Sequence, residues 1–199
     1  MLAGTSMGGA VAAAYAAGLT PDEIERAFRS VRLLDIAQHD RSGLGLLGRD
    51  KIEGKFREVL GGDLTFDELE RSLALVAVDL NSGEEVVMRE GSVIDAVLAT
   101  TSVPVVFPPF RRQGRWLIDG AIINPLPVDV ARQMGADRVV ALHTLDQFPD
   151  ELQMDNEAVT SNTEAFMHFL LNRVRWTPLM NVSVRSLSVL NRELVRQRL

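Results

Sequence analysis

The sequence predicts an α/β fold, a three-layer arrangement with a largely parallel sheet between helices. Three observations carry this. Residues 73–80 and 138–142 are apolar nearly throughout, and continuous apolar strands belong inside a sheet covered on both faces. Segments with helical periodicity and capping signals alternate with such strands. Finally, 199 residues, 46% hydrophobic and 24% charged, suit one domain with a real core.

The elements follow in chain order. Residues 1–3 read as the end of a buried strand, and the alanine-rich run from Ala10 to Ala17 reads as a helix, because Ala has the best helix propensity. Gly18 supplies its C-cap. Thr20-Pro21-Asp22-Glu23 is a capping box with proline at the first helical position, and the helix it opens runs to about Arg32 with Ile24, Ala27, Phe28 and Val31 on one face. Residues 40–48 are glycine-rich. They read as a mobile loop rather than a phosphate cradle, because no Gly-Lys-Ser/Thr ending follows. Ile52, Phe56, Val59 and Leu60 stripe the next helix, closed by Gly61-Gly62, and Thr65-Phe66-Asp67-Glu68 is a second capping box on a short helix.

The buried strand over 73–80 turns at Asn81-Ser82-Gly83 into residues 85–89, a hairpin pattern. Ser92 caps a helix through about Ala99, and Pro104 with Phe107-Pro108-Pro109-Phe110 forces an extended path. Gln113-Gly114 turns the chain into Arg115-Trp116-Leu117-Ile118, a strand leading to Asp119-Gly120-Ala121. A helix over about 127–134 ends at Gly135, and residues 138–142 form a further buried strand. The domain expectation is a core over 1–145, an acidic linker over 146–158, and a helical segment over 159–199 that packs on the core or extends it. From Ala165 onward that segment carries six arginines and one acid, Glu193. Such helices ordinarily solvate an outer face, and a basic amphipathic helix also suits an anionic lipid surface.

Composition excludes several function classes. The net charge of −6 argues against general nucleic-acid binding. With no cysteine, disulfides, thiolate catalysis and thiolate metal sites are excluded. The three histidines, His39, His143 and His168, are too scattered for a histidine metal site. The apolar N-terminus lacks the positive leading segment of a secretory signal, and no run reaches the ~18 apolar residues of a membrane span.

The candidate chemistry centres on Gly4-Thr5-Ser6-Met7-Gly8, a G-x-S-x-G pattern between a strand and a helix. This is the arrangement of a nucleophile elbow, with the serine on a strained turn over the sheet's end. Side chains at Gly4 or Gly8 are expected to collide with neighbouring backbone there. The following helix aims its free N–H groups, Met7 among them, and its positive dipole end at an oxyanion. A serine needs a base. Asp119 follows a strand, where α/β sites collect, although Asp-Gly is also a common turn. His143 closes the strand before it and is the other candidate.

These motifs, taken together and in order, resemble those of the patatin-like phospholipase family in its bacterial form. The resemblance runs from Ala3-Gly4-Thr5-Ser6-Met7-Gly8-Gly9 with Tyr15-Ala16-Ala17-Gly18, through residues 73–83 and Ala99-Thr100-Thr101-Ser102-Val103-Pro104, to Asp119-Gly120-Ala121, Asn124-Pro125-Leu126-Pro127 and Gly135-Ala136-Asp137. It implies a Ser–Asp dyad without histidine: Ser6 as nucleophile, Asp119 as proton acceptor, Gly120 and Ala121 as the supporting motif. It implies hydrolysis of acyl esters of phospholipids and related lipids, with no metal or cofactor. The expected location is cytoplasmic, with peripheral contact at a membrane. The family places a glycine-rich oxyanion loop and a first strand ahead of the elbow. Here Gly4, Met7 and Gly8 are the first such residues, so the expectation is a chain truncated at its N-terminus. Two other readings compete: an α/β-hydrolase using Ser6, an acid and His143, and a silent fragment that binds lipid or a partner protein.

Overall fold

The computed structural model describes residues 1–31, 40, 42–45, 47–143 and 193–195. The acidic linker, His39, His168 and nearly all of the expected C-terminal helices lie outside the described residues; of the last, residues 193–195 are described and are helical. Five strands form one sheet: β1 (Leu2–Thr5), β2 (Leu73–Asp79), β3 (Glu85–Met88), β4 (Phe110–Arg112) and β5 (Arg115–Asp119). Among the described residues before 144, five α-helices accompany them: α1 (Ser6–Ala16), α2 (Pro21–Ser30), α3 (Asp50–Leu60), α4 (Val93–Thr100) and α5 (Val128–Gln133).

The α/β class and the layering hold, but the sheet is mixed rather than largely parallel. Among the described strands only β1 and β2 pair in parallel; β2–β3, β2–β5 and β4–β5 are antiparallel. β2 is buried along its whole length, as its apolar run requires. Burial on both faces, however, says nothing about the direction of a neighbouring strand. The register carries the consequence. Thr5 of β1 pairs with Val76, and Asp119 of β5 pairs with the next residue, Ala77. Val76 and Ala77 both also pair with β3, which therefore takes the other side of β2. β1 and β5 thus share one side of β2 and run toward each other, so their C-terminal ends meet.

One face of the sheet carries α1 to α4. Ala10, Ala13, Ala14 and Ala16 of α1 pack with Phe56, Leu60, Leu75, Ala77 and the apolar side of α4. Alanines let α1 lie close on the strands. The opposite face carries α5, whose Val130 packs on Ala74 and Val76 with Ala3 and Met134. Both capping boxes form. Thr20 N–H donates to Glu23 Oε2 at 2.8 Å, and Thr65 N–H donates to Glu68 Oε2 at 2.8 Å. The second box heads a single 3-10 turn, Phe66–Glu68. Ser92 caps α4 through Asp95 N–H at 3.2 Å.

One expectation is corrected. Residues 138–142 form no strand; Val140 and Leu142 are 91% and 86% exposed. Apolar content favours burial, but a strand also needs a partner for its N–H and C=O groups, and no described strand pairs with this one. The glycine-rich loop, for its part, is organised around its own acid. The Asp40 carboxylate accepts the hydroxyl of Ser42 at 2.6 Å and the N–H groups of Ser42, Leu44 and Gly45 at 3.1, 3.0 and 2.9 Å. The Ser42 hydroxyl, and the amides after it, hold that carboxyl below its usual range against the cost of burial. The Ser42, Leu44 and Gly45 amides are thereby taken.

The β4–β5 turn yields a prediction. Gln113 and Gly114 both have positive φ, 49° and 80°, the signature of a type I′ hairpin turn, which favours Asn-Gly. Gln113→Asn should therefore raise stability by roughly 0.5 kcal/mol, since Asn enters the left-handed region more readily than Gln. Chemical denaturation of the two proteins measures this.

Candidate active site

The turn between β1 and α1 is built by glycine and held by hydrogen bonds. Ser6 has φ of 54°, a left-handed conformation rare for a residue with a side chain. A Cβ at Gly4 would lie 2.6 Å from Gly9 Cα and 2.9 Å from Gly8 O, so only glycine lets the helix start this close to the strand. The expectation for Gly8 is overturned: a Cβ there meets nothing within 4 Å. The crowded partner is Gly9, whose Cβ would stand 3.1 Å from Leu75 and Thr100 side-chain carbons. Gly8 faces outward because helix periodicity turns it away from the sheet while Gly9 turns in. Met7, next to Ser6, is 42% exposed. Amides in the first turn of a helix have no carbonyl four residues back to bond.

Asp119 ends β5, and the meeting of β1 and β5 along β2 places it against Ser6. Ser6 Oγ donates to Asp119 Oδ2 at 2.5 Å. The other carboxylate oxygen, Oδ1, accepts Ala121 N–H at 2.8 Å, and Asp119 N–H donates to Ser102 O at 2.9 Å. The residue is 3% exposed. Burial pushes its carboxyl up to about 6, and the bonds from Ser6 and Ala121 offset only part of that. Gly120 is as constrained as Gly4, because a Cβ would come within 2.3 Å of Val76 O. The Gly120–Ile122 3-10 turn is tied back to the elbow strand by Thr5 Oγ1, which donates to Asn124 O at 2.8 Å.

The sequence-predicted residues Ser6, Asp119, Gly120 and Ala121 are thus brought together, with Gly4, Met7 and Gly8 forming the elbow. His143 lies on the segment after α5, half-buried, beyond the exposed Leu142. Sequence reasoning missed two residues. Thr100 takes the Ser6 amide on its hydroxyl at 2.9 Å. Asn124, fully buried, donates through Nδ2 to Glu85 at 2.8 Å and Asp129 at 2.9 Å. Both stood inside stretches already marked as family-like, but no periodicity or motif separates a hydroxyl that bonds the elbow from one that ends a helix. Among the described residues, no group of three or more His, Cys, Asp or Glu is placed to hold a metal ion. Nor is any described helix long and apolar enough to cross a membrane.

A three-layer sheet with a serine on a strained strand-to-helix turn defines an α/β protein of the nucleophile-elbow class. The chain belongs to the patatin-like phospholipase family, whose sequence profile matches residues 1–132. An uncharacterized NTE family protein of Mycobacterium bovis is 31% identical over 144 residues, 71% of this chain and 39% of that protein. A counterpart from Mycobacterium tuberculosis gives the same figures. Patatin-like phospholipase domain-containing protein 7 of Mus musculus is 33% identical over 106 residues, 52% of this chain and 7% of its own. The chain spans about two fifths of the length of the mycobacterial relatives it matches.

Proposed function

We propose that the chain hydrolyses acyl esters of phospholipids or related lipids through a Ser6–Asp119 dyad and an acyl-enzyme. The 2.5 Å bond from Ser6 Oγ to Asp119 Oδ2 is the observation that carries this reading. Ser6 Oγ attacks the ester carbonyl while Asp119 takes its proton. The tetrahedral oxyanion forms at the N-terminal end of α1, where the Met7 and Gly8 amides and the helix dipole favour negative charge. Collapse releases the alcohol, protonated by Asp119. Water then attacks the acyl-serine with Asp119 again as base, and Ser6 is regenerated. A carboxyl near 6 is a stronger base than an ordinary aspartate yet still ionised at neutral pH, which suits general-base work. Lipid as substrate is supported by the family and by the names of its members. Peripheral contact with a lipid surface belongs to the same reading.

The competing triad requires an imidazole between serine and acid. The direct bond from Ser6 Oγ to Asp119 Oδ2 at 2.5 Å supports the dyad over it. His143→Ala is therefore expected to keep p-nitrophenyl ester hydrolysis within about threefold of wild type, a change too small for the loss of a general base; abolished turnover in a folded His143→Ala protein would restore the triad. The pH profile is a second check. Asp119 must be ionised to accept the proton, so kcat/KM should rise with pH through about 6 and then level. Covalent labelling by a fluorophosphonate, lost in Ser6→Ala, separates an enzyme from a silent binding fragment. An unlabelled, folded wild-type chain that turns over no ester would support the latter.

A further inference from the structure

We infer that Thr100 is a positioning residue, its hydroxyl holding the strained backbone of Ser6 in place by joining the Ser6 amide to the Val76 carbonyl. The inference rests on the reading of Ser6 as nucleophile and names what keeps that nucleophile aimed.

Ser6 is held at φ of 54°, a conformation that survives only where its surroundings over-determine it. Its N–H is a first-turn amide with no carbonyl four residues back. Thr100, the last residue of α4, supplies the acceptor: Ser6 N–H donates to Thr100 Oγ1 at 2.9 Å. The same hydroxyl donates to Val76 O at 2.5 Å. A hydroxyl accepts and donates at once, so one side chain links the elbow to the central strand. Thr100 is fully buried, so no described surface of it faces water as an alternative partner. Its methyl carbon lies against Gly9, where a Cβ would stand 3.1 Å away. Val76 O is also the atom closest to a Cβ at Gly120. One carbonyl therefore registers the serine side of the pair through Thr100 and the acid side through Gly120.

The test compares Thr100→Val, which keeps the shape and removes the hydroxyl, with Thr100→Ser, which keeps the hydroxyl. Thr101→Val is the control: Thr101 is also buried, and its hydroxyl bonds the Val97 carbonyl at 2.7 Å within its own helix. Kinetics are read on a p-nitrophenyl ester, alongside the fluorophosphonate labelling rate and the melting temperature. Thr100→Val should lower kcat and the labelling rate about 10- to 100-fold with KM within about twofold, as expected when a reacting atom is misplaced by a fraction of an ångström. Thr100→Ser should recover most of the loss, and Thr101→Val should lower the melting temperature without lowering kcat. A Thr100→Val protein with wild-type kcat overturns the inference, as does a Thr101→Val protein with the same loss of kcat. Should Thr100→Val not fold, Thr100→Ala is read against Thr100→Ser in the same way. Wild-type activity that survives Ser6→Ala rejects the nucleophile itself, and is distinguished from failure of the inference alone, in which Ser6→Ala is inactive and Thr100→Val is not.

Discussion

Asp119→Asn is expected to lower ester hydrolysis by about 10²–10⁴-fold, the usual contribution of a general base, in a protein at least as stable as wild type at pH 7. The amide cannot take a proton. Its oxygen can still accept Ala121 N–H, but its NH₂ would then face Ser6 Oγ and donate where the carboxylate accepts. The stability half follows from burial. An unfolded Asp119 ionises near the ordinary value of 3.8, whereas the folded one ionises near 6. The folded state therefore binds the proton more tightly. The stability this group contributes is complete below pH 3.8 and is lost as the pH rises through 6. At pH 7 the buried charge carries a net cost, desolvation less the bonds from Ser6 and Ala121, of at most about 3 kcal/mol for a shift of this size, and asparagine removes it. Melting temperatures at pH 4 and pH 7 should show the variant's advantage growing with pH. An Asp119→Asn enzyme with near-normal kcat would end the dyad reading.

Gly4→Ala should abolish activity and lower stability by about 3 kcal/mol or more, whereas Gly8→Ala should not destabilise the protein. At Gly4 the added carbon meets Gly9 Cα at 2.6 Å, Gly8 O at 2.9 Å and Gly9 N at 2.9 Å. All three are backbone atoms, so no rotamer change relieves the contact; α1 must move off β1. Overpacking ordinarily costs about 1–3 kcal/mol, and a clash against fixed backbone lies at or above the top of that range. Total stability is only about 5–15 kcal/mol, and the displaced helix carries Ser6 away from Asp119 in any case. At Gly8 there is open space, and replacing a helical glycine by alanine contributes about 0.5–1 kcal/mol. Melting temperature and soluble yield for the two variants measure the contrast. Equal behaviour would mean that the elbow is not packed as described.

Much of this architecture was legible in local sequence. Thr20 and Glu23, or Thr65 and Glu68, announce a helix start through groups three residues apart, and both boxes form. Gly18 and Gly135 end their helices with φ of 100° and 98°. The apolar run of β2 marked a strand buried on both faces. The pairing of Ser6 with Asp119 was legible only as a resemblance between ordered motifs, since 112 intervening residues separate positions 6 and 119.

Other features were beyond the reach of the sequence. Residues 138–142 look as apolar as β2, yet Val140 and Leu142 stand in solvent, because strand formation is decided by a partner's backbone and not by the run itself. Gly4 and Gly8 are equivalent in a G-x-S-x-G pattern, but one is jammed against backbone and the other open, because only the docking of α1 on β1 distinguishes them.

The sequence by itself determined most of the elements, their caps and the chemical types at the site: a serine at a glycine-flanked turn and an acid at a strand end. The tertiary structure alone decided how they meet. β1 and β5 lie on the same side of β2 in opposite directions, and their last residues pair with neighbouring positions, Val76 and Ala77. Strand direction and register are set by long-range pairing, for which a single strand's side-chain pattern carries no code. That pairing places Asp119 against Ser6, buries its carboxylate, and leaves Thr100 to hold the turn.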